Sequence, residues 1–302
     1  MSSYRFCRTD DIALLVDALN RCWAPYAPNE PPMTQPAFKR SIRDLQVWCS
    51  SCMVAFAGAD PIGVLIGAKR PSGTLVHTIA VHPDHRRQGH ARHLLTSLGS
   101  KLAILGPPRL VAEVPESSAD ACGLFGATGY VDQGRLTDYV FDPQEHDARE
   151  VVGLSRDERA PRDGASRKGF VIPVTVDDLI ANGLLGADQS PVCWARSVET
   201  LTARKDDIAG LAVATDERIE AFVLYLTPDE HSVDIVALRS LDENGGDVLK
   251  PLLAQLHARG VRTVRFPRVH PAEIASDSLD ALGFRRTGGH LQYAARAGAA
   301  QV

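Results

Sequence analysis

Ile12, Leu15, Val16 and Leu19 recur at the i, i+3, i+4, i+7 spacing of a helix with one apolar face. The spacing predicts a helix over Ile12 to Cys22, behind a cap at Thr9, Asp10 or Asp11. The pattern then turns strand-like. Cys52 to Ala57 and Pro61 to Lys69 read as two strands joined by a turn at Gly58-Ala59-Asp60-Pro61, and Leu75 to Val81 reads as a third. Ala91 to Leu105 is a strong helical pattern, with Leu94, Leu95, Leu98, Leu102 and Leu105 along one side. A strand over Arg109 to Val114, a helix over Ala119 to Thr128 and a strand over Arg135 to Phe141 complete the first half.

Residues 144 to 169 break the pattern with a polar run that includes Arg156-Asp157-Glu158-Arg159, and they read as a linker. The second half repeats the earlier grammar. Glu220 to Leu226, Ser232 to Leu238 and Val261 to Pro267 read as strands, and Val248 to Arg259 and Ile274 to Leu282 as helices. His290 to Ala295 closes the series as a strand. An offset of 154 residues carries Gly129-Tyr130 onto Gly283-Phe284, and Val81 onto Ile235, which suggests a duplication. The expected division is therefore 1–143, a linker over 144–169, and 170–302.

Composition narrows the classes. The chain has 302 residues, 44% hydrophobic and 23% charged, enough for two cores. A net charge of −4 argues against general attraction to nucleic acid or anionic membrane. No stretch approaches the roughly 20 apolar residues of a membrane span. Asp10 and Asp11 break any signal-peptide core, so a cytoplasmic protein is the expectation. Six cysteines in so long a chain fit reduced thiols. Trp48-Cys49-Ser50-Ser51-Cys52 invites a redox or zinc reading, but no second ligand pair stands at zinc spacing, and no metal is expected.

The segment that carries chemistry runs from Leu75 to Leu95. It holds an apolar strand, a turn with Pro83, the basic loop Arg86-Arg87-Gln88-Gly89-His90-Ala91, and an amphipathic helix. That order puts loop and first-turn N–H groups, with the helix dipole behind them, where phosphate oxygens bind well. Gly89 permits a close backbone approach, and Arg86, Arg87 and Arg92 add positive charge.

Over roughly residues 4 to 142 the chain resembles the GNAT superfamily of acetyl-CoA-dependent N-acetyltransferases. The signature Gln/Arg-x-x-Gly-x-Gly/Ala is matched by Arg86-x-x-Gly89-x-Ala91. The resemblance implies an α/β (α+β) fold of two tandem domains, each a mixed, mostly antiparallel sheet flanked by helices. It implies acetyl-CoA as co-substrate, with Ile79, Ala80 and Val81 along the pantetheine and Arg87, Gln88, Gly89, His90, Ala91 and Arg92 at the pyrophosphate. It also implies direct transfer of acetyl to a primary amine on a small molecule or peptide.

Several positions depart from that family's pattern. An Asn and, seven residues on, a Tyr that reprotonates the thiolate correspond here to Ser118 and Phe125. Phe125 has no proton to give, but both positions are expected at the cofactor, with Phe125 packing against it or, alternatively, filling the core. Tyr130 and Tyr139 are candidates for the acid, or structural tyrosines. For the base, Thr78 stands where relatives hold Glu. His77 beside it and Glu113 on the next strand are candidates, and each also reads as an ordinary strand residue. Residues 20 to 50, with Trp23, Tyr26 and Pro25 to Pro36, are expected to wall the acceptor site. His82, His85, His90 and His93 read as surface or phosphate-adjacent histidines and not as metal ligands.

In the second half, Asp242, Glu243 and Asp247 occupy the loop region and would repel a pyrophosphate by about 1 kcal/mol per close pair. Leu279 stands at the position of the Tyr. That half is read as a degenerate domain that completes the cleft, dimerises or stabilises the first. A homodimer and a non-catalytic acyl-CoA-binding or regulatory protein stay open as alternatives.

Overall fold

The computed structural model describes residues 2–142, 169–186, 192–241 and 246–298. Twelve strands occur among them. In the first half these are β1 (Ser2–Phe6), β2 (Met53–Ala57), β3 (Asp60–Arg70), β4 (Gly73–Val81), β5 (Arg109–Pro115) and β6 (Val131–Phe141). In the second half they are β7 (Phe170–Pro173), β8 (Ala209–Ala214), β9 (Ile219–Asp229), β10 (Ser232–Ser240), β11 (Thr263–Val269) and β12 (Arg285–Arg296). The chain folds into two compact units. The first takes the described residues up to Gly134 and those from His290 onward; the second takes Arg135–Gly289.

In the first unit β1 to β4 form an antiparallel run, with Tyr4 opposite Ala55, Val54 opposite Val64 and Leu65 opposite Ile79. β4 then pairs in parallel with β5, and β5 pairs antiparallel with β12 from Arg109–Arg296 to Pro115–His290. β3 is buried almost throughout, and its run Pro-Ile-Gly-Val-Leu-Ile-Gly-Ala reads apolar without alternation because both faces are covered. The helix α1 (Ile12–Trp23) lies on β3 and β4 through Leu15, Ala18, Leu19 and Cys22. The helix α3 (His90–Leu105) packs Leu94, Leu95, Leu98 and Leu102 into a core with Met53, Leu65, Val76, Ala112 and Val114. Leu105, expected on that side, is exposed.

Between α1 and β2 the pattern predicts no element, yet α2 (Gln35–Leu45) forms there. Thr34 caps it by accepting from Ala37 N–H at 3.3 Å, Pro36 sits in its first turn, and Gln46 ends it in the left-handed region. Only Phe38 of α2 is buried, so its apolar face is too narrow to register beside the prolines. A fourth helix, α4 (Ala119–Ala127), carries Phe125 into the α3 core.

The second unit repeats the plan. β7 to β10 are antiparallel, β10 and β11 are parallel over Ser232–Asp234 and Thr263–Arg265, and β11 pairs antiparallel with β6 from Phe141 to Thr137. Its helices are α5 (Val176–Ala181), α6 (Val198–Ala203), α7 (Gly246–Ala258) and α8 (Ser276–Ala281). Its main core gathers Tyr139, Val223, Ile235, Leu252, Phe266 and Phe284.

Each unit thus takes its sixth strand from the other half of the sequence. The expected boundary at residue 143 instead assigned β6 whole to the first half and β12 whole to the second. Apolar periodicity marks a strand but not the sheet edge it joins. The expected linker lies outside the described residues, apart from Gly169. The duplication is also sharper than a single offset. β3 and β9 begin 159 residues apart (Asp60, Ile219), whereas β5 and β11 begin 154 apart (Arg109, Thr263). Val81 therefore matches Ser240, strand end to strand end, and not Ile235; the second half is five residues shorter between these strands.

The second core holds a buried ion pair. Arg196 and Glu273 meet at 2.5 Å with 2% and 3% of their side chains exposed. Arg196 also donates to the carbonyls of Pro267 and, at 2.8 Å, Arg268, and it lies 4.9 Å over the Phe266 ring. Removing one partner strands a buried charge, whereas removing both does not. Glu273→Ala is expected to lose about 3–5 kcal/mol in denaturant unfolding. The double change Arg196→Met, Glu273→Leu is expected to lose less, because it deprives the Pro267 and Arg268 carbonyls of a donor but strands no charge.

Candidate functional site

The first unit's chemistry begins where β4 leaves β5. Parallel pairing covers only Thr74–Leu75 against Leu110–Val111. The β3–β4 register then skips His77, because Gly67 faces Val76 while Ile66 faces Thr78, and this bulge turns the rest of β4. Antiparallel pairs alternate between hydrogen-bonded and open. His82 N–H bonds Ile62 C=O at 2.9 Å, so the next pair, Gly63–Val81, is open, as is Leu65–Ile79. The peptide groups of Val81 and Ile79 therefore point away from β3, into the gap beside β5. The hydroxyl of Tyr26 lies on that side and donates to Val81 C=O at 2.6 Å.

The chain continues through a 3-10 turn, Pro83–His85, into the basic loop. Arg87 adopts a φ of 59° and Gly89 a φ of 84°, both left-handed, and Gly89 serves as the N-cap of α3. No side chain caps this helix. Its first intrahelical bond here is His93 N–H to Gly89 C=O at 2.9 Å, so the N–H groups of His90, Ala91 and Arg92 have no helical acceptor. They form a cluster of donors at the positive end of the dipole. Arg86, Arg87 and Arg92 are exposed around them. Arg86 lies 4.2 Å over the Tyr26 ring, and Arg87 meets Asp120 at 2.9 Å in an exposed pair worth little. A donor-only array with surplus positive charge suits a pyrophosphate.

His90 is 5% exposed. Its Nδ1 lies 2.7 Å from the hydroxyl of Tyr4, whose ring centroid is 3.8 Å from that of His93. Its Nε2 is buried and unpartnered. Burial first, then the nearby His85 and His93, lower its pKa. Among the described residues, no group of three or more His, Cys, Asp or Glu side chains is arranged to hold a metal ion.

The other candidates are dispersed. His77 is exposed at the bulge. Glu113 is half-buried on β5, opposite Gln292, and alternates with the core residues Ala112 and Val114, so it stands on the other face of the strand. Ser118 is the N-cap of α4, without a side-chain bond to it. Phe125 is 2% exposed, 5.0 Å from Tyr130 edge-on and 5.8 Å from Tyr293 in a stack. It is a core residue. Burial raises the Tyr130 phenol well above its ordinary value, so Tyr130 is a poor acid. Tyr139 is corrected: it lies in the second unit's core, where its hydroxyl donates to Ser276 Oγ at 3.1 Å.

Tyr4 and Tyr293 escaped the sequence reading, because each comes from a strand far along the chain from its partner. The 3-10 turn Cys49–Ser51 and the Cys52 that follows it bury both thiols. Burial pushes the Cys7 thiol up to about 12 and raises Cys49 and Cys52 as well, so thiolate chemistry is disfavoured.

Residues 14–130 match the family model described as Acetyltransferase (GNAT) family. This segment is a GNAT acetyltransferase domain. The likeness extends to both halves in solved structures. A tandem GNAT protein from the clavulanic acid biosynthesis pathway aligns over 99% of this chain and 100% of its own, at 16% identity and a TM-score of 0.62. A GCN5-related N-acetyltransferase from Sphaerobacter thermophilus covers 98% and 95% respectively, at 13% identity and a TM-score of 0.63. An acetyltransferase-like protein from Pyrococcus horikoshii covers 98% and 89%, at 15% and 0.58. The chain has the fold of a tandem GNAT protein.

The second GNAT-like unit differs at the matching place. Ser240 and the start of α7 are separated by five residues, against eight between Val81 and α3. Asp242 and Glu243 lie outside the described residues, and Asp247 pairs with Lys250 at 2.9 Å. Beyond the point where β11 leaves β10, the carbonyls of Pro267 and Arg268 are taken by Arg196.

His90 yields a pH prediction. Its folded pKa is below 6.5, so the neutral form is favoured in the native state. Stability from this group is complete above the unfolded value and falls as the pH drops through that value toward the folded one. Imidazole NMR signals followed against pH should show His90 titrating below 6.5, and His90→Gln should flatten the stability loss on the acid side.

Proposed function

We propose that the chain is an acetyl-CoA-dependent N-acetyltransferase, with its site in the first unit, that moves acetyl directly to a primary amine. One observation carries this reading: the peptide groups of Ile79 and the N–H of Val81, turned away from β3, run straight into the uncapped start of α3. An extended amide-bearing chain ending in a pyrophosphate presents the complementary groups in the same order. Ile79, Ala80 and Val81 would hold the pantetheine arm. The N–H groups of Gln88, Gly89, His90, Ala91 and Arg92 would hold the pyrophosphate, with Arg86, Arg87 and Arg92 supplying charge. Ser118, at the start of α4, would border the same arm.

The thioester supplies an activated acyl carbon. The N–H of Val81 points into the gap and would polarise the acyl oxygen. The amine must arrive neutral, and His77 and Glu113 are the candidate proton acceptors, Glu113 through water. No side chain is assigned to protonate the leaving thiolate: Phe125 cannot, and Tyr130 is buried. Water would then do so.

Phe125 and Thr78, which supply neither acid nor base, also favour a second reading, a non-catalytic acyl-CoA-binding or regulatory protein. CoA release measured with a panel of primary amines separates the two, since a pure binder releases none above hydrolysis. The geometry supports one site per chain, because in the second unit Arg196 occupies the β11 carbonyls and the loop is shorter. Calorimetry is expected to give one acetyl-CoA per chain. Gly89→Glu should weaken binding at least tenfold: it adds left-handed strain of about 1–2 kcal/mol and sets a carboxylate at the phosphate site. A side chain at Gly89 meets no atom within 4 Å, so the fold should survive. Two sites per chain, or normal binding by Gly89→Glu, would refute the assignment.

A further inference from the structure

Tyr26 belongs to a segment, 24–33, that is mostly exposed and carries four prolines. Short turns brace it internally: Tyr26 N–H bonds Trp23 C=O at 2.8 Å and Glu30 N–H bonds Ala27 C=O at 3.0 Å. The Trp23 indole N–H donates to Glu30 at 3.1 Å and its ring stacks on Tyr26 at 6.0 Å. One end is fixed to α1 by two hydrogen bonds of a single side chain: Asn20 donates to Met33 C=O at 3.0 Å and accepts from Met33 N–H at 2.7 Å. The middle meets the functional site through Tyr26. Its hydroxyl holds Val81 C=O and its ring carries the Arg86 guanidinium.

We infer that Tyr26 is a positioning residue that couples the pyrophosphate loop to the acceptor wall, so that acetyl-CoA binding orders residues 24–33 before the amine enters. The inference rests on the acetyl-CoA reading above. Arg86 is shared between the Tyr26 ring and the loop where the pyrophosphate would lie. An anion there favours the loop conformation in which Arg86 sits over Tyr26, and ligand binding shifts an equilibrium by its differential affinity for the two states. Val81 is shared too: its C=O is held by Tyr26, which fixes the peptide plane next to the N–H that would polarise the acyl oxygen. The hydroxyl keeps a lone pair free on the gap side to accept N–H from an incoming primary amine. The internal turns and the Asn20 clamp hold the segment to itself and to α1, whereas Tyr26 holds it to β4 and the loop, so this link contributes to how often the segment opens from the site.

Hydrogen exchange on the full chain, with and without acetyl-CoA, tests this. In the wild type, acetyl-CoA should slow exchange at 86–92 and also at the amides of Tyr26, Ala27, Glu30 and Met33. Tyr26→Phe keeps the ring on Arg86 but lacks the hydroxyl. It should retain ligand protection at 86–92, while the 24–33 amides exchange about fivefold faster in the bound state, the factor one net hydrogen bond supplies. Tyr26→Ala should abolish ligand protection at 24–33. Unchanged α3 exchange confirms the fold, and Tyr26→Phe alone decides the matter if Tyr26→Ala is misfolded. Protection at 86–92 without any at 24–33, or equal protection of 24–33 in Tyr26→Phe and wild type, overturns the coupling. No protection at 86–92 in the wild type overturns the acetyl-CoA reading itself, and the coupling with it.

Discussion

The peptide groups of Ile79 and Val81 point away from β3, and across from them β5 has already turned aside. Buried backbone donors and acceptors need partners, so this unpaired stretch sets what the first unit can bind. One carbonyl, that of Val81, is met by Tyr26. The remaining groups suit a ligand with its own amides. The divergence has a local origin in the His77 bulge, which rotates the last turn of β4 relative to its first half. It has a global one in β12, which keeps β5 straight on its far side over seven residues.

The second unit shows what happens when the same architecture carries different side chains. There β10 and β11 also part after three paired residues, but Arg196 reaches the β11 carbonyls and Glu273 neutralises it. A charge pair inside a core is costly to bury and costlier to break. The cost is offset by backbone acceptors that would otherwise lack donors. The parting of two parallel strands is thus a property of the fold, and what fills it is a property of individual residues.

Around the first unit's gap the groups that would move protons are less concentrated than those that would bind. His77 is exposed, Glu113 faces away from the α3 core, and Phe125 is locked between Tyr130 and Tyr293. Direct transfer from a thioester to an amine makes modest demands on acid–base catalysis once the amine is neutral. Positioning then matters more, and in the proposed transfer Tyr26, Val81 and the loop donors would supply it.

By itself the sequence marked many of the local elements, though not α2 or β8, and the basic glycine loop between β4 and α3. A strand, a Pro turn, Arg86-x-x-Gly89-x-Ala91 and a leucine-faced helix are contiguous, and their geometry follows from neighbours a few residues apart. The repeat was legible for the same reason, although its offset had to be divided at the shortened loop. Tertiary structure decided everything that joins distant segments: the pairing of β6 with β11 and of β12 with β5, the burial of Tyr139 in the second core, the stack of Tyr293 on Phe125, and the reach of Tyr26 to Val81. Periodicity reports which face of an element is buried but not against what. These partners are set by sheet edges and loop paths, which no local pattern encodes.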